Sequence, residues 1–219
     1  PANREVHVSR AVAGFADKGE YRHFMEKEIH EQPDAIAHTL SRYVDVDAGR
    51  FTTDGLLDWQ DINRLLGTAC GTAFYAAAIG KYWFEKYARL SVEIDVASEF
   101  RYRDPVIGPK DAALFISQSG ETADTLAALR YCKQAGAKTL AVVNVAESSI
   151  AREADAIAQT QAGPEIGVAS TKAFTAQLTA IASLAIGAGR ARGVLSETDE
   201  KLAALQPALQ PHLQRLMQS

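Results

Sequence analysis

Cysteine, methionine and tryptophan each occur only twice in this 219-residue chain, and that scarcity excludes several classes at once. Cys70 and Cys132 are too few and too far apart for a disulfide framework or a cysteine metal knuckle. Both read as small buried apolar residues of a reducing, cytoplasmic compartment. No apolar run reaches the ~18 residues that suggest a membrane span. Thr175, Gln177 and Thr179 interrupt even the richest stretch. Cationic excess is missing too: 23 Lys and Arg face 27 Asp and Glu, a net charge of −4. That balance leaves no electrostatic case for nucleic acid or an anionic membrane. The opening Pro1-Ala2-Asn3-Arg4 has neither an initiator Met nor an apolar leader and reads as a boundary within a longer protein.

What is present is regular alternation. Residues 1–20 are polar and read as a linker, and residues 21–45 as two amino-terminal helices, Tyr21 to His30 and Asp34 to Tyr43, separated at Pro33. Residues 44–60 read as a mostly polar connection. The spacing then predicts strands over Asn63–Ala69, Ser91–Val96, Ala112–Ser117, Thr139–Val145 and Ala156–Thr160. Helices are predicted over Ala73–Tyr87, 121–135 and Ser170 to about Gly189, with short pieces at Ala97–Tyr102 and 148–153. A last amphipathic helix, Glu197–Met217, contains Pro207 and Pro211. The main domain is placed at 46–190 and a helical extension at 191–219. Strands alternating with helices imply an α/β fold of three layers, with a parallel five-stranded sheet and helices on both faces.

In such sheets ligands bind beyond the carboxyl ends of the strands. Three loops leave strand ends there: Cys70-Gly71-Thr72-Ala73, the turn Ser117-Gln118-Ser119-Gly120-Glu121-Thr122, and Gly163 to Lys172. The second is the most informative. It follows an apolar strand and opens a helix, whose unpaired N–H groups and positive dipole end attract anions. The hydroxyls of Ser117, Ser119 and Thr122 suit a phosphate and a polyol, and no lysine makes the turn a nucleotide P-loop. By itself the turn also fits an ordinary N-cap with spare serines, so both readings stay open at this point. In the third loop, Ser170 or Thr171 is placed to cap the long helix. No GxGxxG follows the first strand, which disfavours a dinucleotide-binding oxidoreductase.

Tyr21-Arg22-His23-Phe24-Met25-Glu26-Lys27-Glu28-Ile29, Glu31-Gln32-Pro33, Cys70-Gly71-Thr72, Ala97 to Tyr102, Ser117 to Thr122 and Glu165 to Lys172 stand in an order that resembles the glutamine–fructose-6-phosphate aminotransferases. The resemblance runs from about residue 19 to 185 and covers the first of that family's two sugar-isomerase (SIS) domains. It implies a phosphosugar-binding domain at 46–190 of SIS type, flavodoxin-like in kind, part of an enzyme that makes glucosamine 6-phosphate from fructose 6-phosphate and glutamine. It also implies no cofactor, no metal and a homodimer. By motif position it implies that Thr72, Ser117, Gln118, Ser119 and Thr122 hold the phosphate, while Val168 and Ser170 line the sugar. The family often has serine where this chain has Ala73, so one hydroxyl contact is missing or replaced.

The catalytic groups implied by the family (a base, a ring-opening histidine and a Schiff-base lysine) fall in the second SIS domain and tail, outside this chain with the glutaminase domain. No catalytic residue is expected within it. Glu121 reads as helix first-turn support. Lys172 could touch an anion, but a surface ion pair is the commoner fate. His23, His30 and His38 are expected away from the loops. Glu99 and Arg101 read as a buried or interfacial pair. The alternative function is a non-catalytic SIS module that senses a sugar phosphate. A regulator of that kind is expected to carry a basic helix-turn-helix, and none is visible.

Overall fold

The structure, a computed structural model, describes residues 17–53 and 55–204. The linker expected over 1–20 and the helix expected to run to Met217 therefore lie largely outside the described residues. Residues 197–204 are helical.

Two short helices come first, α1 (Phe24–His30) and α2 (Gln32–Leu40), with Pro33 in the first turn of α2. Proline belongs there, because the N–H it lacks has no helical partner anyway. The connection that follows is less plain than its polarity suggests. It pairs β1 (Val44–Asp45) with β2 (Arg50–Phe51) in an antiparallel ribbon. Val44 and Phe51 are buried against Ala204, so this ribbon seats the helical residues near 200. Glu200 fastens them, its Oε1 accepting the Phe51 N–H at 2.8 Å and its Oε2 pairing with Arg190 at 2.7 Å.

The main body then runs β3 (Arg64–Ala69), α3 (Gly71–Trp83), β4 (Ser91–Val96), α4 (Ala97–Phe100), β5 (Asp111–Ser117), α5 (Ala123–Gln134), β6 (Lys138–Val143), α6 (Ser149–Glu153), β7 (Ala156–Gln159) and α7 (Lys172–Ala191). A π-helical turn, Phe84–Ala88, closes α3, so the single helix expected to Tyr87 is two kinds of helix in series. The five main strands are all parallel, in the order β4-β3-β5-β6-β7. That is the flavodoxin-like order, with the direction of winding reversing between β3 and β5.

Both sheet faces are covered, which is why the strands read as continuous apolar runs rather than alternating ones. All of β5 is buried. The period-2 alternation still sorts its side chains: Ala112, Leu114 and Ile116 join the core under α3 and α7, and Ala113 and Phe115 the core under α5 and α6. Burying one such Leu or Phe contributes roughly 1.5–3 kcal/mol. On the first face α3 and α7 approach closely at Gly80, where an added Cβ would meet Ile181 Cγ2 at 2.5 Å.

Candidate functional site

The winding reverses between β3 and β5, and the loops leaving those two strands are the ones with small and hydroxylic residues. Register sets them side by side: Ala69, the last residue of β3, pairs with Ile116, so Cys70-Gly71-Thr72 starts beside Ser117. Thr72 itself is exposed.

The Ser117–Thr122 turn is built from its own hydroxyls. Ser117 is buried, and its Oγ accepts the Gly120 N–H at 3.0 Å and lies 3.0 Å from Thr122 Oγ1. Ser119 Oγ accepts the Glu121 N–H at 3.2 Å and is otherwise exposed. Thr122 is the N-cap of α5, but no side chain caps that helix. The first intrahelical bond is Leu126 N–H to Thr122 O at 2.9 Å. The amides of the first turn of α5 are thus left for another acceptor, at the positive end of a 12-residue helix. Gly120 has φ +67°, and the space where its Cβ would be is filled by Ser148. The turn can take up a tetrahedral anion through backbone N–H groups, with Ser119 and Thr122 as hydroxyl partners.

Asn144, at the end of β6, joins this turn to the third loop. Its N–H donates to Gln118 O at 3.2 Å, and its Nδ2 donates to Gly163 O at 2.8 Å. Its Oδ1 accepts from Ala162 N at 2.9 Å and Thr160 Oγ1 at 3.1 Å. Sequence reading gave Asn144 no role. A single asparagine after an apolar strand carries no signal until its partners, up to 26 positions away, are known. Ser148 was likewise missed; it is buried and caps α6 through the Ala151 N–H.

Several expectations change. Ser170 and Thr171 do not cap α7. Thr171 occupies the N-cap position without a side-chain cap bond. Glu165 caps instead, its Oε1 accepting the N–H of Thr171 at 2.8 Å and of Ala173 at 3.2 Å, two amides where one hydroxyl satisfies one. Lys172 does form an ion pair, but a buried one rather than a surface one: its Nζ lies 2.6 Å from Glu31 Oε2. Burial alone would raise the Glu31 carboxyl, but the Lys172 hydrogen bond and charge, aided by Lys27, hold it below its ordinary value. Glu121 does support a helix start, though of α6 rather than its own. It accepts the Ser149 N–H at 2.7 Å, which lowers its pKa.

Glu99 and Arg101 form no pair and are both exposed. Positions two apart on a helix do not face each other, and Arg101 lies over the ring of Tyr102 at 4.6 Å. His38 is exposed on α2, as expected of a residue outside the site. His23 and His30, by contrast, line a groove of about 770 Å³ together with Ile166, Gly167 and Val168, so they adjoin the third loop rather than standing apart. This groove contains none of the 117–122 residues. The case for the turn rests on the free amides at the start of α5 and on the Ser119 and Thr122 hydroxyls, not on concavity. Val168 is fully exposed there and Ser170 half-buried. Among the described residues no group of His, Cys, Asp and Glu could hold a metal ion.

The SIS domain family model matches residues 60–187. A glutamine–fructose-6-phosphate aminotransferase [isomerizing] of Agrobacterium fabrum is 62% identical over 203 residues, covering 92% of this chain and 33% of that protein. Its counterpart in Mesorhizobium japonicum is 61% identical over 199 residues, covering 90% and 33%. Among solved structures, the C-terminal domain of glucosamine-fructose-6-phosphate aminotransferase from Francisella tularensis aligns with a TM-score of 0.83 at 38% identity. It covers 88% of this chain and 55% of that one. The chain spans about a third of the length of the curated relatives it matches.

Proposed function

We propose that this chain, which belongs to the SIS domain family, is the sugar-phosphate-binding half of the isomerising part of a glutamine–fructose-6-phosphate aminotransferase. The observation that carries the proposal is the uncapped start of α5 behind a turn of three hydroxyls, at the point where the sheet reverses its winding. The activity in the relatives' names points to the substrate class such a turn would take, a ketose phosphate. In this reading the Ser117–Thr122 turn holds the phosphate through backbone amides, Ser119 and Thr122. Gln118 shapes the turn through the Asn144 contact, Thr72 adds a hydroxyl from the neighbouring loop, and Val168 and Ser170 face the sugar.

Proton transfer between C1 and C2 needs a base within hydrogen-bond reach of the bound sugar. The one carboxylate of the turn, Glu121, is engaged with the Ser149 N–H. The base, the ring-opening group and the nitrogen donor are therefore assigned to the remainder of the longer protein, and this chain alone is assigned binding without turnover. Residues 46–190 form the binding unit, with the α1–α2 segment before it and the helical residues near 200 after it. A homodimer is part of the proposal, supported by the open groove beside α1 with Tyr21 and Ile29 exposed. The apolar faces of α7 lend it no support, because they are spent within the chain: Ala176, Ala180, Ile181 and Leu184 are all fully buried. Among the described residues no helix is long and apolar enough to cross a membrane.

Calorimetric titration with fructose 6-phosphate tests the site. Binding is expected in the wild-type chain and lost in the Ser119→Ala, Thr122→Ala double variant. Undiminished binding in that variant refutes the assignment.

A further inference from the structure

The Tyr21–Pro33 segment has no part in the phosphate turn, yet two of its carboxylates reach the loop that leads into α7. Glu28 is only 2% exposed, and among the described residues no lysine or arginine pairs with it. Its carboxylate is spent on backbone. Oε1 accepts the Ile166 N–H at 2.5 Å and the Gly167 N–H at 3.1 Å, and Oε2 accepts the Gly167 N–H at 3.0 Å. Burying a carboxylate is costly unless hydrogen bonds satisfy it, so these amides and this side chain depend on one another. A Cβ on residue 167 would lie 2.5 Å from Glu28 Oε2 and 3.5 Å from Met25 Cα. Only glycine lets the loop come this close. Three residues on, Glu31 holds the other end of the same loop through buried Lys172.

Between these two anchors lie Val168, Ala169, Ser170 and Thr171. No strand and no helix holds them. Val168 is fully exposed, so the backbone beneath it decides where it points. We infer that Glu28 is a positioning residue: from α1, it fixes the Ile166–Gly167 backbone so that Val168 and Ser170 are presented to the sugar. The inference rests on the proposed reading of the Ser117–Thr122 turn as the phosphate site with Val168 and Ser170 facing the sugar. It gives the α1 segment a job in ligand discrimination, since the turn holds any phosphate while the loop distinguishes a sugar phosphate from phosphate alone. A ligand-facing group held loosely by its supporting shell loses the geometry that makes it useful.

The test compares inorganic phosphate with fructose 6-phosphate on the 219-residue chain, in wild type, Glu28→Gln and the exposed control Glu26→Gln. Wild type and Glu26→Gln are expected to bind the sugar phosphate more tightly than phosphate. In Glu28→Gln, phosphate affinity is expected to be unchanged while the sugar phosphate weakens roughly ten-fold, the scale of one unsatisfied buried group. Amide exchange is expected to quicken at Ile166 and Gly167 and to stay unchanged at Gly120 and Glu121. An unchanged sugar-phosphate affinity in Glu28→Gln overturns the inference, as does an equal loss for both ligands, which is what general destabilisation produces. A wild-type chain that binds neither ligand refutes the phosphate turn itself, and this inference with it. Should Glu28→Gln fail to fold, Gly167→Ala displaces the same carboxylate from the loop side and is read by the same ratio.

Discussion

Gly120→Ala is the sharpest test of how the phosphate turn keeps its shape, because one methyl group meets two separate obstacles. The first is local. Gly120 sits at φ +67°, where an L side chain costs about 1–2 kcal/mol. The second is tertiary. The new Cβ would lie 1.9 Å from Ser148 Oγ and 2.4 Å from Ser148 Cβ. Ser148 is buried and serves as the N-cap of α6, so it has no free direction in which to swing. Displacing it forfeits that cap, worth about 0.5–2 kcal/mol. Together the variant is expected to lose about 1.5–4 kcal/mol in urea unfolding, read as a lower midpoint at unchanged slope. Ser148→Gly removes both clashing atoms. In the double variant the clash is gone, and what remains is the dihedral cost of residue 120 and the cap that glycine at 148 cannot supply, so the two substitutions should couple by about 1 kcal/mol. Strict additivity, or a Gly120→Ala loss below about 0.5 kcal/mol, refutes the argument that Ser148 shapes the turn.

Two further outcomes are expected. Glu31, Asp111 and Asp155 all have carboxyl pKa values lowered in the folded chain, each against an opposing effect of burial: Glu31 by Lys172, Asp111 by Arg64 and the Gly108 N–H, Asp155 by Thr139 and Lys133. A lowered folded pKa stabilises above the unfolded value, 4.5 for Glu31 and 3.8 for the aspartates, and the contribution is lost as pH falls through the folded pKa. The urea midpoint should therefore be flat near neutrality and drop in acid, and the deficit of Lys172→Met should shrink as Glu31 protonates. A deficit independent of pH contradicts the pairing. For association, light scattering across micromolar concentrations should give the mass of a dimer, and a monomer mass that persists as concentration rises rules the dimer out.

Much of the scaffold was legible in the residues because it is local. Strand and helix periods and the hydroxyl turn after β5 all lie within windows of a dozen residues, and the main strands begin and end within about two residues of where the pattern placed them, whereas the two amino-terminal helices divide at Glu31 rather than at Pro33, which sits in the first turn of α2. The alternation also implied a parallel sheet, though not which strands are neighbours; the order β4-β3-β5-β6-β7 came only with the fold. What the pattern could not reach is held by contacts between distant positions. Glu28 meets Ile166 across 138 residues and Lys172 meets Glu31 across 141, while the residues themselves look like an ordinary charged helix face and a surface lysine. The β1–β2 ribbon was hidden for the same reason, since two-residue strands have no period and exist only because Val44 and Phe51 find Ala204. A side chain's type and spacing determine what it can do locally. Whether a carboxylate faces water or two backbone amides depends on which other segment folds over it, and that is decided by tertiary packing.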